Sequence, residues 1–92
     1  MYVNLLNTQM KATFSIAKWF PKNDFGEYLS INSVYTKIEG TENEVGRHTL
    51  RTALNGQLDR IHADNLVKLS RLCSLWSGSE VKIDDLLIVQ ND

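Results

Sequence analysis

The sequence lacks most of the features that would assign it to a chemical class. Its single cysteine, Cys73, rules out an intrachain disulfide framework, and its position in an apolar run predicts a buried, reduced thiol. The chain has one proline and no run of 18 or more apolar residues of the kind that spans a membrane. No basic segment precedes an apolar core at the amino terminus, so we expect no secretory signal and a cytoplasmic, nucleoid-associated protein.

Groups that carry catalysis are also sparse. Metal sites need three or four clustered ligands, whereas the two histidines and the cysteine stand 14 and 11 residues apart. The five glycines are scattered, so the sequence has no glycine-rich phosphate loop. We therefore expect no enzyme and no bound cofactor or metal, and we interpret His62 as a surface loop residue.

What the chain does have is one small core and an uneven distribution of charge. Its 92 residues, 42% of them hydrophobic, predict a single domain over residues 1–92. The formal net charge is -1, but residues 44–72 carry five cationic against three acidic side chains, and residues 73–92 carry one against four. All four arginines lie in the middle block, and their planar forks suit phosphates and guanine edges. A solvated helix face explains the same charges.

Apolar spacing predicts an all-α fold, a small four- or five-helix bundle, although the two ends of the chain also allow short terminal β-strands. Glu27–Ile38 favours a helix, with a strand left open because tyrosine, valine and isoleucine also suit strands. The other predicted elements are a strand at Met1–Leu6, helices from Asn7 or Thr8 to about Phe20, at Gly46–Asn55 and at Asn65–Trp76 (capped by Asp64), a helical turn at Lys82–Leu87 and a strand at Leu87–Val89.

Four consecutive pieces of the second half follow a known pattern. They are a helix closed by Asn55-Gly56, a basic loop at Gln57–Ala63, a helix with leucines at 66, 69 and 72, and the short segment Asp85-Leu86-Leu87. In this order, over about residues 45–88, the chain resembles the Cro/repressor-type (Xre-like) helix-turn-helix DNA-binding family. The resemblance implies that residues 44–88 form the recognition helix and its supporting helices. Apolar spacing, and not the resemblance, assigns N-terminal helices to residues 1–43.

The same resemblance implies a site and a partner. The recognition helix would begin near Gly46 and enter the major groove of double-stranded DNA, with its first turns at base edges. The base-reading positions of the family fall on Arg47, His48, Thr49 and Thr52. The phosphate-contacting positions fall on Arg51, Asn55 and Arg60. We expect a sequence-specific transcriptional regulator, a repressor-type homodimer, with no membrane association.

Two alternatives stay open. Arg47 and His48 also fit a plain polar helix face, and Asn55-Gly56 is a common helix end in many folds. A protein-interaction module on a helix-turn-helix-like fold, such as an adaptor, antitoxin or inhibitor, would use the acidic residues 80–92 and the aromatic residues that the pattern leaves unplaced (Trp19, Phe20, Phe25 and Tyr28) to hold a protein partner.

Overall fold

The computed structural model describes residues 10–91, and it corrects the predicted fold class. The chain is a mixed α/β domain with three α-helices and a two-stranded antiparallel sheet, not an all-α four- or five-helix bundle. In chain order the elements are β1 (Met10–Phe14), α1 (Ile31–Ile38), α2 (Arg47–Leu54), α3 (Ala63–Ser77), a 3-10 helix (Ile83–Leu86) and β2 (Leu87–Asn91).

The predicted helix from Asn7 or Thr8 to about Phe20 is wrong where the structure describes it. Residues 10–14 form β1 and pair antiparallel with β2, in a register that sets Phe14 opposite Leu87 and Ala12 opposite Val89. The apolar residues of this stretch are close to helical spacing, but a hydrogen-bonding partner from the far end of the chain decides in favour of a strand. After β1 the chain continues as turns, and Ile16 and Phe20 enter the core without a helix.

The remaining elements follow the predictions more closely. α1 occupies the second part of the predicted 27–38 helix, because Ser30 caps it through a bond from the amide of Ser33. α2 begins after Gly46 and is followed by Gly56 at φ +70°, as predicted. α3 starts two residues earlier than predicted, since its N-cap is His62 and Asp64 lies in its first turn. The predicted helical turn is the 3-10 helix, and the predicted strand at Leu87–Val89 is confirmed as part of β2. The predicted strand at Met1–Leu6 lies outside the described residues.

The core joins the three α-helices to the segment after β1. Its most deeply buried side chains come from the three α-helices, the 3-10 helix and the connecting segments, namely Ile16, Val34, Val45, Leu50, Ala53, Leu69, Leu72, Cys73 and Leu86. Backbone hydrogen bonds fix the segment after β1 on the end of α2, because the amide of Ile16 donates to Ala53 and that of Phe14 donates to Leu58. The C-terminal end of α2 is therefore anchored on two sides, while its N-terminal turn faces α1.

Candidate nucleic-acid interface

Helix α2 has one buried side and a broad polar side. Leu50 and Ala53, three residues apart on the helix, are completely buried. Arg47, His48 and Arg51 are exposed. No acidic residue occurs in the helix, whose sequence is RHTLRTAL. The polar side of α2 is therefore a cationic surface with hydrogen-bonding groups, and eight residues at 1.5 Å each make it about 12 Å long.

Arg47 is exposed, but its side chain has a fixed direction. Its Nε donates a 3.1 Å hydrogen bond to Oδ1 of Asn32 on α1. Its guanidinium carbon lies 4.1 Å from the centre of the Tyr35 ring, also on α1, in a cation–π contact. The first predicted base-reading residue is therefore at the surface, resting against the neighbouring helix.

The connection between α1 and α2 is stabilised by Glu44. Residues 39–46 join the two helices, a longer connection than the three or four residues of an ordinary helix-turn-helix. One carboxylate oxygen of Glu44 accepts a 2.8 Å bond from the amide of Gly40, and the other accepts a 2.8 Å bond from the hydroxyl of Tyr35. Val45, beside it, is buried. These contacts give the long connection a defined shape.

The two hydrogen bonds to Glu44 also shift pKa values, that of Glu44 itself and that of Tyr35. The Gly40 amide and then the Tyr35 hydroxyl stabilise the carboxylate, so the pKa of Glu44 lies below its ordinary value. The same bond stabilises the protonated hydroxyl, and the pKa of Tyr35 is therefore raised. At neutral pH the charged Glu44 and the neutral Tyr35 are both in the forms that the hydrogen bond requires.

The other predicted base-reading residues lie on the same helix. His48 is exposed, and Thr49 and Thr52 are partly buried. The hydroxyl of Thr52 donates a 2.9 Å bond to the carbonyl of His48, one turn earlier. That bond uses its proton, so towards a ligand Thr52 presents an acceptor oxygen and a methyl group.

The predicted phosphate-contacting residues continue from α2 into the following loop. Arg51 and Asn55 are exposed on α2 and at its C-cap, and Arg60 is exposed in the loop before α3. Arg60 borders a shallow depression of about 310 Å³ together with Ile61 and His62. The structure thus places six of the seven predicted residues on α2 or its cap and the seventh in the adjoining loop.

Three residues at this surface were missed by sequence reasoning. Asn32 and Tyr35 fix Arg47, and Glu44 fixes Tyr35. Asn32 and Tyr35 are three positions apart, so they share one face of α1, and that spacing could have placed them together. Nothing in the sequence relates either of them to a residue that lies 15 or 12 positions further along the chain.

The described part of the chain offers few groups for a reactive thiol or a metal site. Burial raises the pKa of the Cys73 thiol to about 12, which keeps it protonated and unreactive. Residues 10–91 contain no group of three or more histidine, cysteine and carboxylate side chains placed to hold a metal ion. None of the helices among these residues is both long enough and apolar enough to cross a membrane.

Among the large apolar side chains that the structure describes, two outside α2 are the most exposed to solvent. Phe25 is 87% exposed in the turn between Lys22 and Tyr28, and Leu75 is 70% exposed on α3. Leu75 and Arg71 lie in an open groove of about 530 Å³ that also includes residues of the α1–α2 connection and of the loop after α3. Large exposed apolar side chains are typical anchors for a protein partner.

Comparison with protein-family models, with curated proteins and with solved structures gave no match for this chain.

Proposed function

We propose that this chain is a sequence-specific DNA-binding regulator of the Cro/repressor (Xre-like) type, which inserts α2 into the major groove. The observation that carries the proposal is the polar side of α2. Its arginine and histidine side chains are exposed and its threonines are half-buried, while Leu50 and Ala53 on the other side are completely buried. An α-helix is about 10–12 Å across with its side chains, which fits a major groove about 12 Å wide. The two-stranded sheet uses none of these residues, since it is formed by Met10–Phe14 and Leu87–Asn91.

The proposed roles divide the α2 surface into two kinds of contact. Arg47, His48, Thr49 and Thr52 would contact base edges, with the Arg47 fork on guanine O6 and N7. Arg51, Asn55 and Arg60 would contact phosphates, which position the protein without selecting sequence. Because α2 reads only a few base pairs, we also propose a homodimer on a two-fold operator, with recognition helices about 34 Å apart.

Selection from a random oligonucleotide pool, followed by fluorescence anisotropy on the selected duplex and on an unselected one, tests the proposal. Arg47→Ala should weaken binding to the selected duplex by roughly 1–3 kcal/mol and leave unselected DNA almost unaffected. Arg60→Ala should weaken both duplexes alike and reduce the slope of log K against log salt by about 0.9 per protomer. Lys11→Ala on β1 is the control, since it removes the same charge from an exposed position on the sheet.

If the Arg47 and Arg60 variants lose affinity for the two duplexes in the same way, the assignment of Arg47 to bases and of Arg60 to phosphates is wrong. Failure of the wild-type protein to enrich any sequence would remove the proposal itself. Thermal unfolding of each variant shows whether a loss of binding reflects a loss of folded protein.

A second candidate is a protein-interaction module, and the exposure of Phe25 and Leu75 favours it. Such a module would bind its partner through an apolar anchor, so its affinity would change little with salt. Binding to DNA through phosphates gives the opposite result, a steep fall in log K as log salt rises. The same salt series therefore separates the two candidates.

A further inference from the structure

The side chain of Arg47 is held on two sides by α1. Asn32 accepts its Nε proton at 3.1 Å, and the Tyr35 ring lies under its guanidinium at 4.1 Å. An arginine side chain that is free in water loses rotamer freedom when a ligand fixes it in one direction. Here part of that ordering is already present before any ligand binds.

The Tyr35 ring is itself fixed. Its hydroxyl donates to Glu44 at 2.8 Å, and the other oxygen of Glu44 is held by the Gly40 amide. The ring is thus attached at its Cα to α1 and at its hydroxyl to the α1–α2 connection. The ring that Arg47 contacts is therefore held by α1 and by the α1–α2 connection, and not by α2 itself.

The hydrogen bond to Asn32 decides which groups are left for a ligand. The Nε–H of arginine only donates, so the amide oxygen of Asn32 must face it and its NH2 group must face elsewhere. The guanidinium has five N–H donors, one of which is used, and the amide nitrogen of Asn32 adds two more. Arg47 and Asn32 together therefore present mainly donors, because their one acceptor atom, the amide oxygen of Asn32, already accepts a bond from Arg47.

We propose that Asn32, Tyr35 and Arg47 form one guanine-reading unit, in which the two α1 residues determine the base preference of the recognition helix. This inference rests on the proposed DNA-binding function. Guanine offers two acceptors in the major groove, O6 and N7, and these match a set of donors. Adenine places its N6 amino group where guanine has O6, so it would set donor against donor. The usual bidentate pairing of asparagine with adenine uses the amide oxygen, and in Asn32 that oxygen already accepts a bond from Arg47.

Tyr35 is a positioning residue in this unit, and Asn32 is a specificity-determining residue. Tyr35 touches no base and acts through the direction it gives Arg47. Asn32 acts by orienting Arg47, whose Nε–H takes up part of the acceptor capacity of the Asn32 amide oxygen. A purely structural role, in which these contacts only attach α1 to α2, predicts an equal loss of affinity for every DNA sequence.

The test compares base preference in the full chain and in four variants, by selection from a random pool and by anisotropy on duplexes that differ at one base pair. Wild-type protein should prefer guanine over adenine at one position by about ten-fold or more. Asn32→Ala and Tyr35→Leu should reduce that preference to about three-fold or less and leave the other positions unchanged. Tyr35→Phe keeps the ring and should retain most of the preference. Thr36→Ala is the control on α1, since its hydroxyl bonds the carbonyl of Ser33 instead.

Each failure has its own signature. If the wild-type protein selects a site but Asn32→Ala and Tyr35→Leu lose affinity uniformly, or keep the guanine preference, the guanine-reading unit is overturned while the DNA-binding function stands. If the wild-type protein selects nothing, the DNA-binding function is overturned, and this inference with it. Asn32 is exposed, so its variant folds and keeps the test decisive even if Tyr35→Leu does not.

Discussion

Helices α2 and α3 are neighbours in the chain but differ in length and in how many of their side chains are buried. α3 has 15 residues and buries Leu69, Leu72 and Cys73 almost completely, whereas α2 has eight and buries only Leu50 and Ala53. A free helix of eight residues is marginal in water, so α2 depends on the body of the protein for its shape. The difference teaches that α3 supplies stability and α2 presents side chains. Substitutions should therefore change the stability of the protein most in the buried part of α3 and least on the exposed side of α2.

The largest effect is expected from a cavity in α3. Leu69 is completely buried, so Leu69→Ala should lower the free energy of unfolding by about 2–5 kcal/mol, through lost burial and the cavity that remains. Leu75→Ala is the matched control, since it is the same substitution on the same helix at a residue that is 70% exposed. Urea denaturation measures both. Similar losses at the two leucines would mean that α3 is not packed as described.

The end of α3 gives a smaller and purely conformational effect. Gly78 has φ +75°, and a Cβ at this position would meet no heavy atom within 4 Å. Gly78→Ala should therefore cost about 1–2 kcal/mol because of the left-handed backbone alone. Gly78→Asn should cost clearly less, because asparagine tolerates this region. Thermal unfolding of the pair measures the difference, and an alanine variant as stable as wild type would contradict the left-handed end.

Glu44 stabilises the connection that leads into α2, and this stabilisation depends on pH. Its pKa is lowered in the folded protein, mainly by the Gly40 amide and then by the Tyr35 hydroxyl. The contribution is therefore complete above the pKa of the unfolded chain, about 4.3, and is lost as pH falls through the lower folded pKa. Glu44→Gln should be less stable than wild type at pH 7 and should approach it at pH 3. Urea midpoints at the two pH values measure the difference in stability between the variant and wild type. A difference that grows in acid would contradict the lowered pKa of Glu44 in the folded protein.

Arg51 on α2 should have the smallest effect on stability. Its side chain is exposed, so Arg51→Ala should change the free energy of unfolding by no more than about 0.5 kcal/mol. Under the proposed function the same variant should weaken binding to every DNA duplex and flatten the salt dependence. If Arg51→Ala lowers the free energy of unfolding but leaves DNA binding unchanged, α2 contributes to stability and is not the DNA-binding surface.

The sequence predicted the second half of the fold better than the first, for local reasons. Gly46 and Gly56 bracket α2, the leucine stripe sets α3, and Gly78 ends it, so nearby residues carry the information. β1 was mistaken for helix because it is extended through pairing with β2, more than 70 residues later. Pairing of that kind leaves no local signal, and it overrides apolar spacing.

The candidate site shows the same limit. The residues of α2 lie on one short helix, so their common exposure could be anticipated from the position of Leu50 and Ala53. The contacts of Arg47 with Asn32 and Tyr35 depend on how α1 packs against α2. The long connection of residues 39–46 leaves that packing undetermined in the sequence. It is settled by buried Val45 and by the hydrogen bonds of Glu44.

The most direct test of the division between α2 and α3 is to titrate a DNA duplex at low salt into isotope-labelled protein and to follow the backbone amide resonances. The account predicts that the largest shifts fall on residues 47–52 of α2, on Asn32 of α1 and on Arg60, while Leu75 and the exposed turn at Phe25 stay unchanged. Shifts centred on Leu75 and Phe25, or none on α2, would contradict the claim that α2 is the surface that meets the ligand.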